Sequence, residues 1–199
     1  LNLADDYETT IQLERGTLKE DLKDLNYQVY AINPPLEPGQ TLKFQFTVKY
    51  EAKGFENNVT RTDIVQNGTF FNNTICPQIG YQTQRELQNR NERKKRGLGE
   101  PELMPPLDPE NLKARSVNYL SSSSDWVDVE TVISTSPDQI AVAPGSLVRS
   151  WEENGRKYFH YKVDHPSLNF YSFISARYEV ARDEWNGIQT EVYFHPEHK

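Results

Sequence analysis

The stretch TLKFQFTVKY, residues 41–50, decides the fold class. Leu42, Phe44, Phe46, Val48 and Tyr50 fall on one face, and Thr41, Lys43, Gln45, Thr47 and Lys49 on the other. Strict alternation of this kind is the pattern of a strand with one face on a core and one in water. Segment 126–134 repeats it, with Val127, Val129, Thr131 and Ile133 turned inward. Segments 157–163, 170–178 and 188–194 are rich in the aromatic and β-branched residues that fit a pleated surface. Shorter strands are expected at 27–32, 69–75, 139–143 and 147–151.

Turn signals separate these runs. Pro38-Gly39, Asn67-Gly68, Pro144-Gly145, Asn154-Gly155 and Asn186-Gly187 each sit between apolar segments. Asn-Gly supplies the positive φ that tight hairpins need. Many short strands with regular turns predict an all-β chain, an antiparallel β-sandwich. Helical signal is scarce. Thr17 with Glu20 and Thr83 with Glu86 have capping-box spacing, and Leu18, Leu22 and Leu25 would line one face of a short helix. Residues 83–115 interrupt the sheet pattern as a helical and Pro-rich insertion. Its segment 84–96 carries six cations against two acids, a local +4, and ends at Gly97. One domain over 1–199 is expected, cut from a longer chain because it begins with Leu1.

The chain has 199 residues and a net charge of −7. An acidic surface repels phosphate backbones, so nucleic acid is excluded as a general partner. No run approaches the roughly 18 apolar residues of a membrane-spanning helix. One cysteine, Cys76, excludes an internal disulfide framework and a zinc site with two or more thiolates. The four histidines form no His-Glu-x-x-His. His195 and His198 stand three apart, a spacing more often found in a solvated tail than in a metal pair. No Gly-x-Ser-x-Gly elbow and no phosphate-binding glycine loop occur. The expected catalytic set is therefore none, and the expected metal set is none. Arg93-Lys94-Lys95-Arg96 has the composition of a nucleic-acid patch, an anionic-membrane contact or a processing site. A helix end in water accounts for it more simply, since cations complement a helix C-terminus. Asn58-Val-Thr60, Asn67-Gly-Thr69 and Asn72-Asn-Thr74 match the glycosylation pattern.

Two stretches carry a resemblance. Residues 169–196 read NFYSFISARYEVARDEWNGIQTEVYFHP: a strand with a small-residue centre, then a turn, then a strand ending in Tyr193-x-x-Pro196. This resembles the last strands of the N-terminal β-domain in the aminopeptidase N family of zinc metallopeptidases. Pro34-Pro35-Leu36-x-Pro38-Gly39 before an alternating strand resembles the family's Leu-x-Pro-Gly hairpin. Asn67 to Pro77, with Ile79-Gly80-Tyr81 and Arg85-Glu86-Leu87, is similar to the branch fused to bacterial ABC-transporter-permease-like membrane segments.

The resemblance implies a saddle-like, non-catalytic β-domain that braces a thermolysin-like catalytic domain and walls its peptide groove. The zinc ligands and the exopeptidase Gly-x-Met-Glu-Asn loop would lie in that domain, beyond Lys199. It implies an extracytoplasmic part of an inner-membrane protein, touching the membrane only through the parent's other segments. The implied partners are the chain's own C-terminal catalytic domain and the N-terminus of a peptide. The family's Thr-Gln-x-Glu, whose acid reaches the substrate amine, stands here as Thr69-Phe70-Phe71-Asn72. Phe70 and Asn72 are thus the implied substrate-binding residues, with the acid replaced by an amide. The alternative is an extracytoplasmic module that binds glycan or protein through Trp126, Trp151 and Trp185.

Overall fold

The structure is a computed structural model that describes residues 1–51, 62–80, 82, 86–101, 108–112, 115 and 126–198. Its described residues form antiparallel sheets with one short α-helix, an all-β fold as the alternation predicts. The chain divides into two compact units, Leu1–Glu51 with Thr74–Val117, and Ala52–Asn73 with Asn118–Lys199.

In the first unit, β1 (Glu8–Leu13) alternates strictly, with Thr9, Ile11 and Leu13 half-buried. Next come β2 (Gly16–Leu22), β3 (Tyr27–Ile32) and β4 (Phe44–Lys49). β1 pairs with β4, and the β2–β3 hairpin lies between them in sequence. The helix expected around Leu18, Leu22 and Leu25 does not form. β2 instead pairs Leu18 with Tyr30 and Leu22 with Tyr27, and only one 3-10 turn, Lys23–Leu25, follows. All three leucines are exposed in the strand and turn that form instead. Pro38-Gly39 makes the expected turn: Gly39 has φ 82°, and Gln40 N donates to the Glu37 carbonyl at 3.0 Å. In β4, Phe44 and Val48 are half-buried while Phe46 is exposed, so the alternating face is covered only in part.

The helix α1 spans Arg90–Lys95, shorter than the basic segment around it. Asn89 is its cap, accepting from Asn91 N at 3.0 Å and Glu92 N at 3.1 Å. It stops before Gly97, whose φ is 68°. Thr83 lies outside the described residues. Arg93 is 11 % exposed and donates to Glu86 Oε2 at 3.0 Å, to the Leu87 carbonyl at 2.9 Å and to the Gly99 carbonyl at 2.6 Å. This cation therefore holds the two flanks of the helix together.

The second unit contains β5 (Ile64–Val65), β6 (Gly68–Asn72), β7 (Trp126–Val127), β8 (Glu130–Thr135) and β9 (Ile140–Val142). It continues with β10 (Ser146–Glu153), β11 (Arg156–Lys162), β12 (Ser167–Leu168), β13 (Ser172–Ala176), β14 (Glu179–Trp185) and β15 (Ile188–Phe194). One sheet runs β5-β6-β13-β9, another β10-β11-β8; β7 pairs with β12, and β14 with β15. The core joins the two larger sheets. Ala141 and Ala143, in and just after β9, meet Phe159 and Tyr161 of β11, with Ile133 of β8 and Phe173 of β13 packed against them. Within this unit the packing is that of a sandwich.

Two turns have the predicted form. Asn154-Gly155 (φ 50° and 73°) and Asn186-Gly187 (φ 53° and 78°) close two-residue hairpins with both central φ positive. Asn67-Gly68 differs. Val65 pairs with Gly68, so the apex is Gln66-Asn67, and the Asn67 side chain accepts from Arg177 N at 2.9 Å. Gln139 closes the same end of the unit: it accepts from the Thr135 hydroxyl and donates to the Gln66 carbonyl, both at 2.9 Å. Both buried side chains are thereby satisfied.

Candidate functional site

Phe70 and Asn72 alternate with Phe71 on β6. Phe71 faces Phe173, with ring centroids 5.2 Å apart, on the core side of the sheet. Phe70 and Asn72 therefore lie on the opposite face, in register with Ile174 and Ser172 of β13. Ile174 is in turn paired with Val142 of β9. Phe70 is 55 % exposed and Asn72 half-buried. The next residue, Asn73, is buried and pins the strand end. Its Nδ2 donates to the Asn169 carbonyl at 2.9 Å and its backbone N to the Tyr171 carbonyl at 3.0 Å. The fold thus brings the two sequence-derived site residues together, as a neutral amide beside an apolar strip. Such a surface offers a hydrogen bond and apolar contact, with exposed Asp63 opposite Phe70 across the pairing to β5, where Phe70 N donates to the Asp63 carbonyl at 2.8 Å.

The three tryptophans are in different situations. Trp126 and Trp185 are 70 % and 71 % exposed. Trp151 is half-buried and already engaged: Tyr158 stacks on it at 5.1 Å and 13°, and the Arg149 guanidinium lies 4.7 Å from its ring centroid. Both contacts follow from the β10–β11 register, which sets Trp151 opposite Tyr158 and Arg149 opposite His160. Further along that face, His160 Nε2 and Glu130 Oε1 are 2.7 Å apart, and Lys162 Nζ lies 3.9 Å from Glu130. A cleft of about 460 Å³ follows, between residues 128–130 and 162–166, where Asp128, Glu130 and Asp164 meet Lys162 and His165. This ladder of an arginine, two aromatics and a histidine–glutamate pair is absent from the sequence-derived site. Alternation at 147–151 and 157–163, folded about Asn154-Gly155, is the signal that could have found it.

His195 and His198 have ring centroids 5.5 Å apart on the turn Pro196–His198. Glu197 N donates to His195 Nδ1 at 3.3 Å. Among the described residues no group of three or more potential metal ligands gathers. The perturbed acids and phenols lie elsewhere. Burial raises Tyr193, and its 2.5 Å hydrogen bond to Glu191 adds to this. That same bond, followed by one from Arg182, lowers Glu191. Burial also raises Tyr161.

Compared with known proteins, the chain matches no family model, no curated protein and no solved structure.

Proposed function

We propose that this chain is the accessory β-domain of a membrane-anchored zinc aminopeptidase-like protein. It braces the catalytic domain and walls one side of the peptide groove, on the extracytoplasmic side of an inner membrane. The observation that carries the reading is that Phe70 and Asn72 share the β6 face turned away from the core. They are the two residues that the resemblance implies as groove-lining. The order β13, bend, β14, Asn186-Gly187, β15, with Tyr193 and Pro196 at the end, also suits the closing strands of such a domain. The chain's own contribution is positional. Zinc and its polarising chemistry belong to the catalytic domain.

The test is to read the gene past the codon for Lys199 and assay the full polypeptide. A His-Glu-x-x-His motif, about one zinc per chain and chelator-sensitive cleavage of an aminoacyl reporter are expected. A stop codon or a further β-repeat favours the second reading, a module that binds glycan or protein. The exposure of Trp126 and Trp185 favours that reading; the engaged ring of Trp151 does not.

A further inference from the structure

The run Arg93-Lys94-Lys95-Arg96 plays no part in the proposed function, and Lys95-Arg96 is the chain's only Lys-Arg or Arg-Arg pair. Its cations do not form a clean basic face. Arg90 pairs with Glu100 at 3.1 Å, Lys95 with Glu92 at 2.7 Å and Arg93 with Glu86 at 3.0 Å. A polyanion or an anionic bilayer would have to compete with these acids. The run does have the form that basic-specific endoproteases cut. Lys94, Lys95 and Arg96 are exposed, and so are Gly97, Leu98 and Gly99 after them. Exposed segments with small residues are where chains are nicked. The helix that carries the run is weak: α1 has six residues and buries none of them. An isolated helix needs roughly 12–15 residues to hold in water. It is fastened by the Asn89 cap and by Arg93, which bonds Glu86, Leu87 and Gly99. Segments with few buried contacts open locally, without the rest of the fold.

We propose that the Arg96–Gly97 bond is a processing site for a paired-basic endoprotease, latched by Arg93 and opened by local unwinding of α1. The step is a hydrolysis. Water's oxygen goes to the Arg96 carbonyl carbon, the C–N bond breaks, and a proton goes to the Gly97 nitrogen. Arg93 stands three residues before Arg96 and is 11 % exposed. A protease that reads an arginine there must first take it from Glu86. The cut divides no strand, because β1 to β6 precede Arg96 and β7 to β15 follow Gly97. Within the second unit, β6 from one side of the cut pairs with β13 from the other. Asn73 Nδ2 donates to the Asn169 carbonyl and Gln139 to the Gln66 carbonyl, both also across it. The product is thus two chains held together by one sheet. The site stands whether or not a catalytic domain follows Lys199.

The test treats the full polypeptide, under native conditions, with an endoprotease specific for Arg-x-Lys-Arg and sequences the new N-terminus. A product beginning Gly97-Leu98-Gly99 is expected, and Arg96→Gln should abolish it. Glu86→Gln weakens the latch and should speed the cut about threefold or more, because cleavage follows the open population. The melting temperature should not change. Should that variant misfold, Asn89→Ala, which removes the cap, should speed the cut in the same way. The two pieces should elute together in native buffer and part in urea. No cut at Arg96–Gly97, a rate that both variants leave unchanged, or pieces that separate in native buffer overturns the proposal. Retention on a heparin matrix that is lost in Lys94→Gln and Lys95→Gln, in a polypeptide the protease leaves whole, points to a polyanion and also overturns it.

Discussion

The Tyr161 hydroxyl donates to the Ala141 carbonyl at 3.0 Å, tying β11 to β9 inside the core of the second unit. Both residues are buried, and a buried hydrogen bond contributes about 0.5–1.5 kcal/mol net. Tyr161→Phe should cost about that much, because the ring stays and only the donor leaves. Urea denaturation should show a lower midpoint with an unchanged slope. No shift would mean that the bond contributes nothing.

Alkali should destabilise the fold through Tyr193. Burial first, and then the hydrogen bond to Glu191, raise this phenol above its ordinary value. A group raised in the folded state gives stability that is full below its unfolded pKa, about 10. That stability is lost as pH rises through the folded value. Thermal melts above pH 10 should fall more steeply for the wild type than for Tyr193→Phe. Parallel pH profiles would contradict this.

Gly145 and Gly155 both have positive φ, at 96° and 73°, but different surroundings. A Cβ on Gly145 would collide with the Lys162 carbonyl and come within 2.6 Å of Val163 N, whereas one on Gly155 meets nothing within 4 Å. Gly155→Ala should cost only the left-handed backbone penalty, about 1–2 kcal/mol. Gly145→Ala should cost more than that, about 3 kcal/mol, because backbone must move as well. Equal losses would show that β9–β10 yields freely there.

Asp138 gives the opposite pH dependence. Its side-chain hydrogen bond to Arg177 is the main cause of a lowered carboxyl pKa. A group depressed in the folded state contributes above its unfolded pKa, about 3.9, and loses that contribution as pH falls through the folded value. Asp138→Asn should therefore melt slightly earlier than wild type at pH 7. The gap should close below about pH 4 and narrow in high salt, because both partners are exposed.

Much of the second unit was legible from period two and turn chemistry. Asn154-Gly155 and Asn186-Gly187 fix their hairpin registers, and with them the cross-strand neighbours near each turn, including Trp151 with Tyr158; beyond Arg149 the β10–β11 register shifts by one residue, which the turn does not encode. Val127, Val129, Thr131 and Ile133 are the half-buried set that alternation chose, although the strand breaks at Asp128 and Val129. Three leucines at helical spacing misled the reading of 17–25, because pairing with β3 is a long-range preference that local spacing does not carry. Asn67 was misplaced in its turn because its side chain serves Arg177, 110 residues away. The candidate site was legible only as a shared face. Alternation puts Phe70 and Asn72 together, but only the Phe71–Phe173 contact says which side is the core.

Asn72 carries the most demanding prediction. It sits opposite Ser172, half-buried, beside exposed Phe70. In the proposed parent this position looks toward the free amine of a bound peptide. A carboxylate there would accept a charge-assisted hydrogen bond worth about 1.5–3 kcal/mol, whereas an amide oxygen keeps roughly half of it. Asn72→Glu in the full polypeptide should thus strengthen the transition state by about 1 kcal/mol, roughly fivefold in kcat/KM, for free-amine substrates. N-acylated substrates, which carry no ammonium, should be unaffected. That difference separates a groove residue from one that only satisfies backbone groups near the end of β6. Equal changes for both substrate classes, or a lower melting temperature with no selectivity, would assign Asn72 to the strand end and leave amine recognition to the catalytic domain.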